Sequence, residues 1–593
     1  MVPTYINDCF AVLHPAQGPR GALICGPLSD EALNAYRALV FLGEHLAAAK
    51  IPTLRLNYHS TGDSAGGDDE PDRFNQWLAS IRAGADWLRT ECGVSAVTLI
   101  GHRVGASLAA RAACDIDSVD SLVLLAPIPG RQFVHELTLA GRVSQRVWKT
   151  TNKLDDGTWF ESHGLRIDHP TRDALNRLDI RKLPALPAKH ALVMDAGNRA
   201  PSKALVDVLR QSGGKACFEQ YDRLDAMQRD SYEVEVPHTA FTRILAWTKA
   251  LPTPPASPRA PCVTAQLALG AAREMPVRFG TDDALFGILS LPDQPAPDAP
   301  AMLLVNTSAN PRWGNARITV DLARRLAADG IASLRMDASG MGDAEPSSGE
   351  RGRPYAEAVT ADVRSAIAEL EHQTGRPVVV MGVCSGAYHA LQAASRDDRV
   401  CGLILVNLQR FVWREGDPSD IVRRSALRPN AFYLRSIFSA QSWYRLIRAD
   451  FDVANLLLVF TARLLRRALA SIDPMVTLVS GGATRVGRVR RMLRTLDQRG
   501  VAMLYVLGCN DPGIEELAEY FGRDGARLRR HPNVTYRTLQ NADHTLGAWR
   551  VRAALIETIR SWYRASWGGG RADAEPAAVT ATGRANTSIA AAE

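Results

Sequence analysis

One order of strands, turns and helices occurs twice in this chain, at an offset of about 280 residues that stays nearly constant. Leu23 answers to Leu304, Gly62 to Gly342, Gly101 to Gly382 and Leu122 to Leu403. A repeat of this length is a duplicated domain and not the unit of a solenoid. In each copy, apolar runs of strand length alternate with stretches of helical periodicity. The first copy reads as strand segments at 21–27, 53–58, 96–100 and 122–127, with helices at 35–49, 74–90 and 106–113. Phe74, Trp77, Leu78, Ile81, Ala85 and Leu88 share one helix face, a buried stripe. The second copy repeats the order with strands at 301–305, 332–337, 378–383 and 402–407 and helices at 319–329 and 355–373. Such alternation predicts an α/β chain with two consecutive domains, each a doubly wound, mostly parallel sheet.

The joint is marked by Pro252, Pro254, Pro255, Pro258 and Pro261, a stiff linker. The expected division is therefore a first domain over 1–250, a linker over 251–264 and a second domain over 265–567. The remainder, 568–593, is mostly Gly, Ala, Thr and Asn with almost no apolar bulk and is expected to be a disordered tail.

A net charge of +7 over 593 residues is small, and no nucleic-acid partner is expected from it. Nine cysteines without a C-x-x-C pair argue for reduced thiols, hence a cytoplasmic protein. The first eight residues lack a basic and an apolar region, so no signal peptide is expected. No apolar run approaches the ~20 residues of a membrane span. No metal or other cofactor is called for.

The chemistry concentrates at Val378-Val379-Val380-Met381-Gly382-Val383-Cys384-Ser385-Gly386-Ala387. A strand runs into a small-residue turn and a helix start, the setting of G-x-nucleophile-x-G. This frame raises Cys384. The frame raising Ser385 would put Val383 where the turn needs a small residue. A cysteine nucleophile needs a base and a group to orient it, which the loops after two later strands supply as His544 and Asp511. His389 and His531 compete as base, but one lies within the helix after the turn and the other precedes the last strand. The oxyanion donors expected are the N–H of Ser385 and one from Thr307 or Ser308. Cys401 and Cys509 read as structural; Asp337 and Asp343 read as turn formers, with a ligand contact as the other reading.

The first copy departs at the same position. Gly101-His102-Arg103-Val104-Gly105 places Arg103, which stays protonated, where a nucleophile should stand. Asp195 and His238 keep the acid and base positions. The expectation is a degenerate site, either a structural duplicate or a pocket in which Arg103 receives an anion.

Both copies resemble the α/β-hydrolase superfamily, over most of 15–250 and 265–565. The second further resembles bacterial serine-aminopeptidase-like (S33) hydrolases found with exopolysaccharide gene clusters, through Gly382 to Ala387, Asn407-Leu408-Gln409-Arg410-Phe411-Val412-Trp413-Arg414, Asp511-Pro512-Gly513 and Asp543-His544-Thr545. The first is similar to exosortase-A-associated hydrolases around Pro129-Gly130-Arg131-Gln132-Phe133-Val134-His135-Glu136-Leu137 and departs from them at Arg103. Cysteine at the turn also resembles dienelactone hydrolases and polyhydroxyalkanoate synthases. The resemblance implies a helical cap in each domain, at 129–180 and about 410–470. Within the latter, 450–469 is expected to be an apolar helix packing on its own domain, a membrane-surface role being the other reading.

The activity implied is a hydrolase or acyltransferase working on a small acyl ester or thioester through an acyl-Cys384 intermediate, with no peptide substrate indicated. The alternative is a tandem pseudo-hydrolase that binds or scaffolds. A homo-oligomer is compatible with either.

Overall fold

A computed structural model describes residues 1–185, 187–196, 200–221, 223–252, 255–346, 353–413 and 484–568. The expected cap helix at 450–469, the cap over 414–470 and the tail over 569–593 lie outside the described residues.

The first copy begins with strands β1 (Val2–Ile6), β2 (Cys9–His14) and β3 (Arg20–Cys25), then helix α1 (Asp30–Ala48). There follow β4 (Thr53–Leu56), α2 (Arg73–Glu91), β5 (Ala96–His102), α3 (Val104–Ala113) and β6 (Val119–Leu125). An insertion of α4 (Gly130–Trp148), the hairpin β7 (Trp159–Ser162) and β8 (Leu165–Asp168), and α5 (His169–Arg177) comes next. The copy closes with β9 (His190–Asp195), α6 (Ala200–Gln211), β10 (Lys215–Gln220) and α7 (His238–Lys249).

The second copy has β11 (Leu267–Ala268), β12 (Ala272–Phe279), β13 (Leu285–Pro292), β14 (Ala301–Leu304), α8 (Ile318–Ala328), β15 (Ser333–Asp337) and α9 (Glu357–Thr374). After them stand β16 (Val378–Val383), α10 (Ser385–Ala394) and β17 (Val400–Val406). Its last described elements are α11 (Arg485–Gln498), β18 (Ala502–Gly508), α12 (Gly513–Phe521), β19 (Val534–Leu539) and α13 (Trp549–Trp567).

The sheets are ordered β1-β2-β4-β3-β5-β6-β9-β10 and β11-β12-β13-β15-β14-β16-β17-β18-β19. From β4 and β15 onward all neighbours are parallel; the strands before them are antiparallel. Both sheets reverse direction of growth beside β3 and β14, so the loops after β3, β5, β14 and β16 meet at the carboxyl edge, where open α/β sheets place their sites. The inner parallel strands such as β5 and β16 are buried along their length, which is why they read as unbroken apolar runs, while the edge strands β10 and β19 are partly exposed. The antiparallel strands at each start were not part of the sequence expectation. In β12, Arg273, Pro276 and Arg278 interrupt the apolar signal.

The copies share a core. Tyr5, Phe10 and Val12 pack into the same cluster as Phe279, Phe286 and Met336. Leu33, Tyr36 and Val40 of α1 pack against Trp313 and Val320. Buried ion pairs cross the same boundary. Arg312 forms an ion pair with Asp63 across it at 2.8 Å, and within its own copy bonds Asp337 at 2.6 Å and Asp343 at 2.9 Å, all essentially inaccessible to solvent. Asp337 and Asp343 thus do more than shape a turn: they neutralise a guanidinium buried between the two copies. Among the described residues no helix is long and apolar enough to cross a membrane.

Candidate active site

The turn between β16 and α10 raises Cys384. Its backbone lies at φ 54°, ψ −115°, a region an L-residue enters only under strain. The turn is closed tightly enough to demand glycine on both sides. A Cβ on Gly382 would stand 2.2 Å from the Gly386 carbonyl carbon, and one on Gly386 2.3 Å from the Asn306 carbonyl oxygen. Cys384 is buried, at the start of a helix whose first N–H groups have no helical partner.

Asp511 follows β18 and His544 follows β19, neighbouring parallel strands, so their loops emerge side by side. His544 Nδ1 and Asp511 Oδ2 are 2.6 Å apart, and Cys384 lies close enough to the imidazole to act on its charge. Burial alone would lower the His544 pKa. The Asp511 carboxylate and the Cys384 sulfur more than reverse that and hold it well above the ordinary histidine value. The ring is thus disposed to carry a second proton beside the cysteine.

The competing histidines are committed elsewhere. His389 is buried, with Thr360 Oγ1 at 2.9 Å from Nδ1 and the Pro354 carbonyl at 2.8 Å from Nε2; burial pushes its pKa down to about 4. His531 pairs with Asp497. Burial pushes the Cys401 thiol up to about 11, the behaviour of an inert cysteine.

At the expected oxyanion position, Ser385 opens α10. The Ser308 N–H donates to Ser385 Oγ at 2.8 Å, so that donor is engaged by a side chain, while Ser308 Oγ is buried with no hydrogen-bond partner among the described residues. Thr307 Oγ1 donates to the Val383 carbonyl at 3.3 Å.

The first copy keeps the turn and loses its chemistry. Arg103 has φ 57°, ψ −124°, almost the backbone of Cys384. Its guanidinium bonds Glu31 at 3.0 Å and also Glu136, so two carboxylates of its own domain already answer it. That leaves little for an anion at Arg103 and fits the reading of the first copy as a structural duplicate. Asp195 accepts from Ser202 Oγ at 2.6 Å and from the Ala196 N–H. His238 is exposed at the start of α7, edge-on to Phe41 with ring centroids 4.5 Å apart. Asp195 and His238 thus each engage neighbours of their own.

Three side chains at the second-copy site had no role assigned from sequence. Asn407, at φ 49°, accepts from the Gly508 N–H at 2.9 Å and donates to the His544 carbonyl at 3.1 Å, tying the Asp511 loop to the His544 loop. The Gln409 amide lies 3.2 and 3.3 Å from the two imidazole nitrogens. When both nitrogens carry protons, that amide must present its oxygen. The third is Trp148 of α4, whose indole stacks on His544 with centroids 6.0 Å apart and planes 24° from parallel. Asn407 and Gln409 stood inside a quoted motif; nothing near Trp148 in the sequence points to the second copy.

Residues 302–557 match the model of the alpha/beta hydrolase family. Among solved structures the chain is similar to Est1E from Butyrivibrio proteoclasticus with ferulic acid bound, at 14% identity, covering 42% of this chain and 98% of that one, with a TM-score of 0.31. It is also similar to a dienelactone hydrolase from Anabaena variabilis, at 12% identity over 50% of this chain and 98% of that one, TM-score 0.30. A cold-adapted esterase from an Arctic intertidal metagenomic library aligns at 14% identity over 50% and 96%, TM-score 0.28. No curated protein matches the chain.

Proposed function

We propose that the alpha/beta hydrolase segment at 302–557 is an esterase, thioesterase or acyltransferase working through an acyl-Cys384 intermediate. The observation that carries this reading is the convergence of Cys384, on a strained turn, with an imidazole that is bonded to Asp511 and close enough to the cysteine for the two to act on each other's charge. In the first step the thiolate sulfur attacks the acyl carbon, and the bond to the leaving alcohol or thiol breaks. The leaving group takes the proton from His544 Nε2. Water or an alcohol then attacks the thioester, gives its proton to His544 and releases Cys384. Asp511 holds the Nδ1–H and stabilises the charged ring. Ser385 N–H and a donor from Thr307 or Ser308 receive the negative oxygen; for Ser308 this means leaving Ser385 Oγ.

The first copy, with Arg103 at its turn, is read as non-catalytic. Exopolysaccharide or lipid metabolism as the setting rests on sequence resemblance alone, as does a cytoplasmic location on the reduced thiols. The domain limits of 1–250 and 265–567 are retained as part of this reading.

The test is intact mass after brief exposure to an activated acyl ester, in a Cys262→Ser background because Cys262 is exposed. One transient acyl adduct that disappears in Cys384→Ala is the expected result. Competing alcohols then separate transfer from hydrolysis. An adduct that persists without Cys384, or none at all, overturns the reading in favour of a binding or scaffold protein.

A further inference from the structure

We propose that Trp148, supplied by the first copy, is a positioning residue of the second copy's site, forming one wall of it and fixing the His544 ring. The inference rests on His544 being the base, as read above.

The geometry is specific. Helix α4 ends at Trp148, and Lys149 takes a left-handed conformation (φ 53°) that turns the chain back along the second copy. The turn then engages both loops on which the site depends. Asn510, beside Asp511, donates from Nδ2 to the Trp148 carbonyl at 2.8 Å. Thr151 Oγ1 donates to Asn541 Oδ1 at 3.2 Å, and Asn152 Nδ2 to the Asn541 carbonyl at 2.9 Å, three residues before His544. Asn541 is itself left-handed, at φ 54°. Between these anchors the indole lies nearly parallel to the imidazole.

A flat π-face against the ring restricts its rotation to orientations that keep Nδ1 on Asp511. It also favours the charged ring, because an aromatic face attracts a cation. The titratable groups facing the imidazole are Asp511 and Cys384; Gln409 and Trp148 are neutral. Trp148 therefore assists the charge state the two ionisable neighbours set up. The first copy, with its own turn occupied by Arg103, serves the second as the carrier of this wall.

The experiment uses the full chain as wild type, Trp148→Ala, Trp148→Phe and Cys384→Ala. Two readouts are taken: the pH profile of acylation by an activated ester, and the His544 ring resonance followed through a pH titration. Trp148→Ala should slow acylation by about tenfold or more, as a displaced catalytic group does. It should lower the ring pKa by about half a unit, the size of a lost cation–π contact. The ring-current shift of the His544 carbon-bound protons should vanish. Trp148→Phe should restore most of the rate and pKa, which a general loss of packing would not allow. If the resonance and its pKa are the same in wild type and Trp148→Ala, the inference is overturned whatever the activity. If the resonance responds but wild type forms no adduct, the wall stands and the acyl-Cys384 reading fails.

Discussion

Arg335 of the second sheet reaches Asp63 of the first, with Nη2 3.1 Å from Oδ1. The counterparts return the contact: Arg55, 280 residues before Arg335, places Nη2 2.6 Å from Asp343, 280 residues after Asp63. Residue i meeting j while j's equivalent meets i's is the signature of an isologous, twofold interface. The duplication has kept a dimer-like contact within one chain.

These pairs are buried, and removing one partner takes a neutralising charge from the other. Arg335→Met should therefore cost about 1–3 kcal/mol, because Asp63 and Glu274 each lose one of two guanidinium partners while Arg312 and Arg324 remain. Urea unfolding followed by fluorescence reads this. The double variant Arg335→Met, Asp63→Leu should recover part of the loss.

Acid should loosen the interface in two stages. Burial and the neighbouring Arg55 push the His14 pKa down to about 2, its Nε2 accepting from Arg55 Nε at 2.8 Å. A histidine depressed in the folded state withdraws stability as pH falls below its unfolded value of about 6.5. Burial would raise Glu274, but Arg335 and Arg324 outweigh it and bring the carboxyl down to about 2. Its contribution, on the order of 3 kcal/mol, is present above pH ~4.5 and lost between there and pH ~2. Melting temperatures from pH 8 to 3 should decline from about pH 6.5 and steepen below 4.5. Glu274→Gln should flatten the lower stage only.

His544 supplies a sign of its own. A histidine pKa raised in the folded protein means the ring stays charged as pH rises past its ordinary value. Alkylation of Cys384 by iodoacetamide at pH 6–7 should then be fast in the Cys262→Ser background and fall about tenfold or more in His544→Ala. Equal rates would show that the imidazole does not hold the thiolate.

Asp511→Asn should leave the fold intact and lower the acylation rate by about 10³–10⁴-fold, since the amide favours the wrong tautomer of His544. Circular dichroism and acylation kinetics together distinguish this from unfolding.

Asn407→Ala removes the bonds to Gly508 N–H and the His544 carbonyl while touching neither reacting atom. Stability should drop by about 1–2 kcal/mol and acylation by about tenfold to a hundredfold. A loss of stability with an unchanged rate would assign Asn407 to folding alone.

The parallel strands and the turn at Cys384 were legible because buried parallel strands form unbroken apolar runs and because the turn tolerates only glycine at Gly382 and Gly386. Asp511 and His544 were legible as loop residues after successive strands, and strand order accounts for their proximity. The antiparallel edges were hidden by mixed composition. The Arg312 network and the Trp148–His544 stack were hidden for a different reason. Each joins residues far apart in the chain through the packing of one folded copy on the other, which no local pattern encodes. Arg103 was legible as a missing nucleophile, but its pairing with Glu136 depends on where α4 lies.

Tethering changes the arithmetic of the shared interface. Two separate subunits meeting through the same contacts would dissociate on dilution, and each would have to present both a nucleophile and a wall to its mate. Joined through one linker, the copies associate with an effective concentration that does not depend on how much protein is present. One stoichiometric site per chain then requires only one working turn. The other is released to hold an arginine, and the completeness of the site becomes independent of protein concentration.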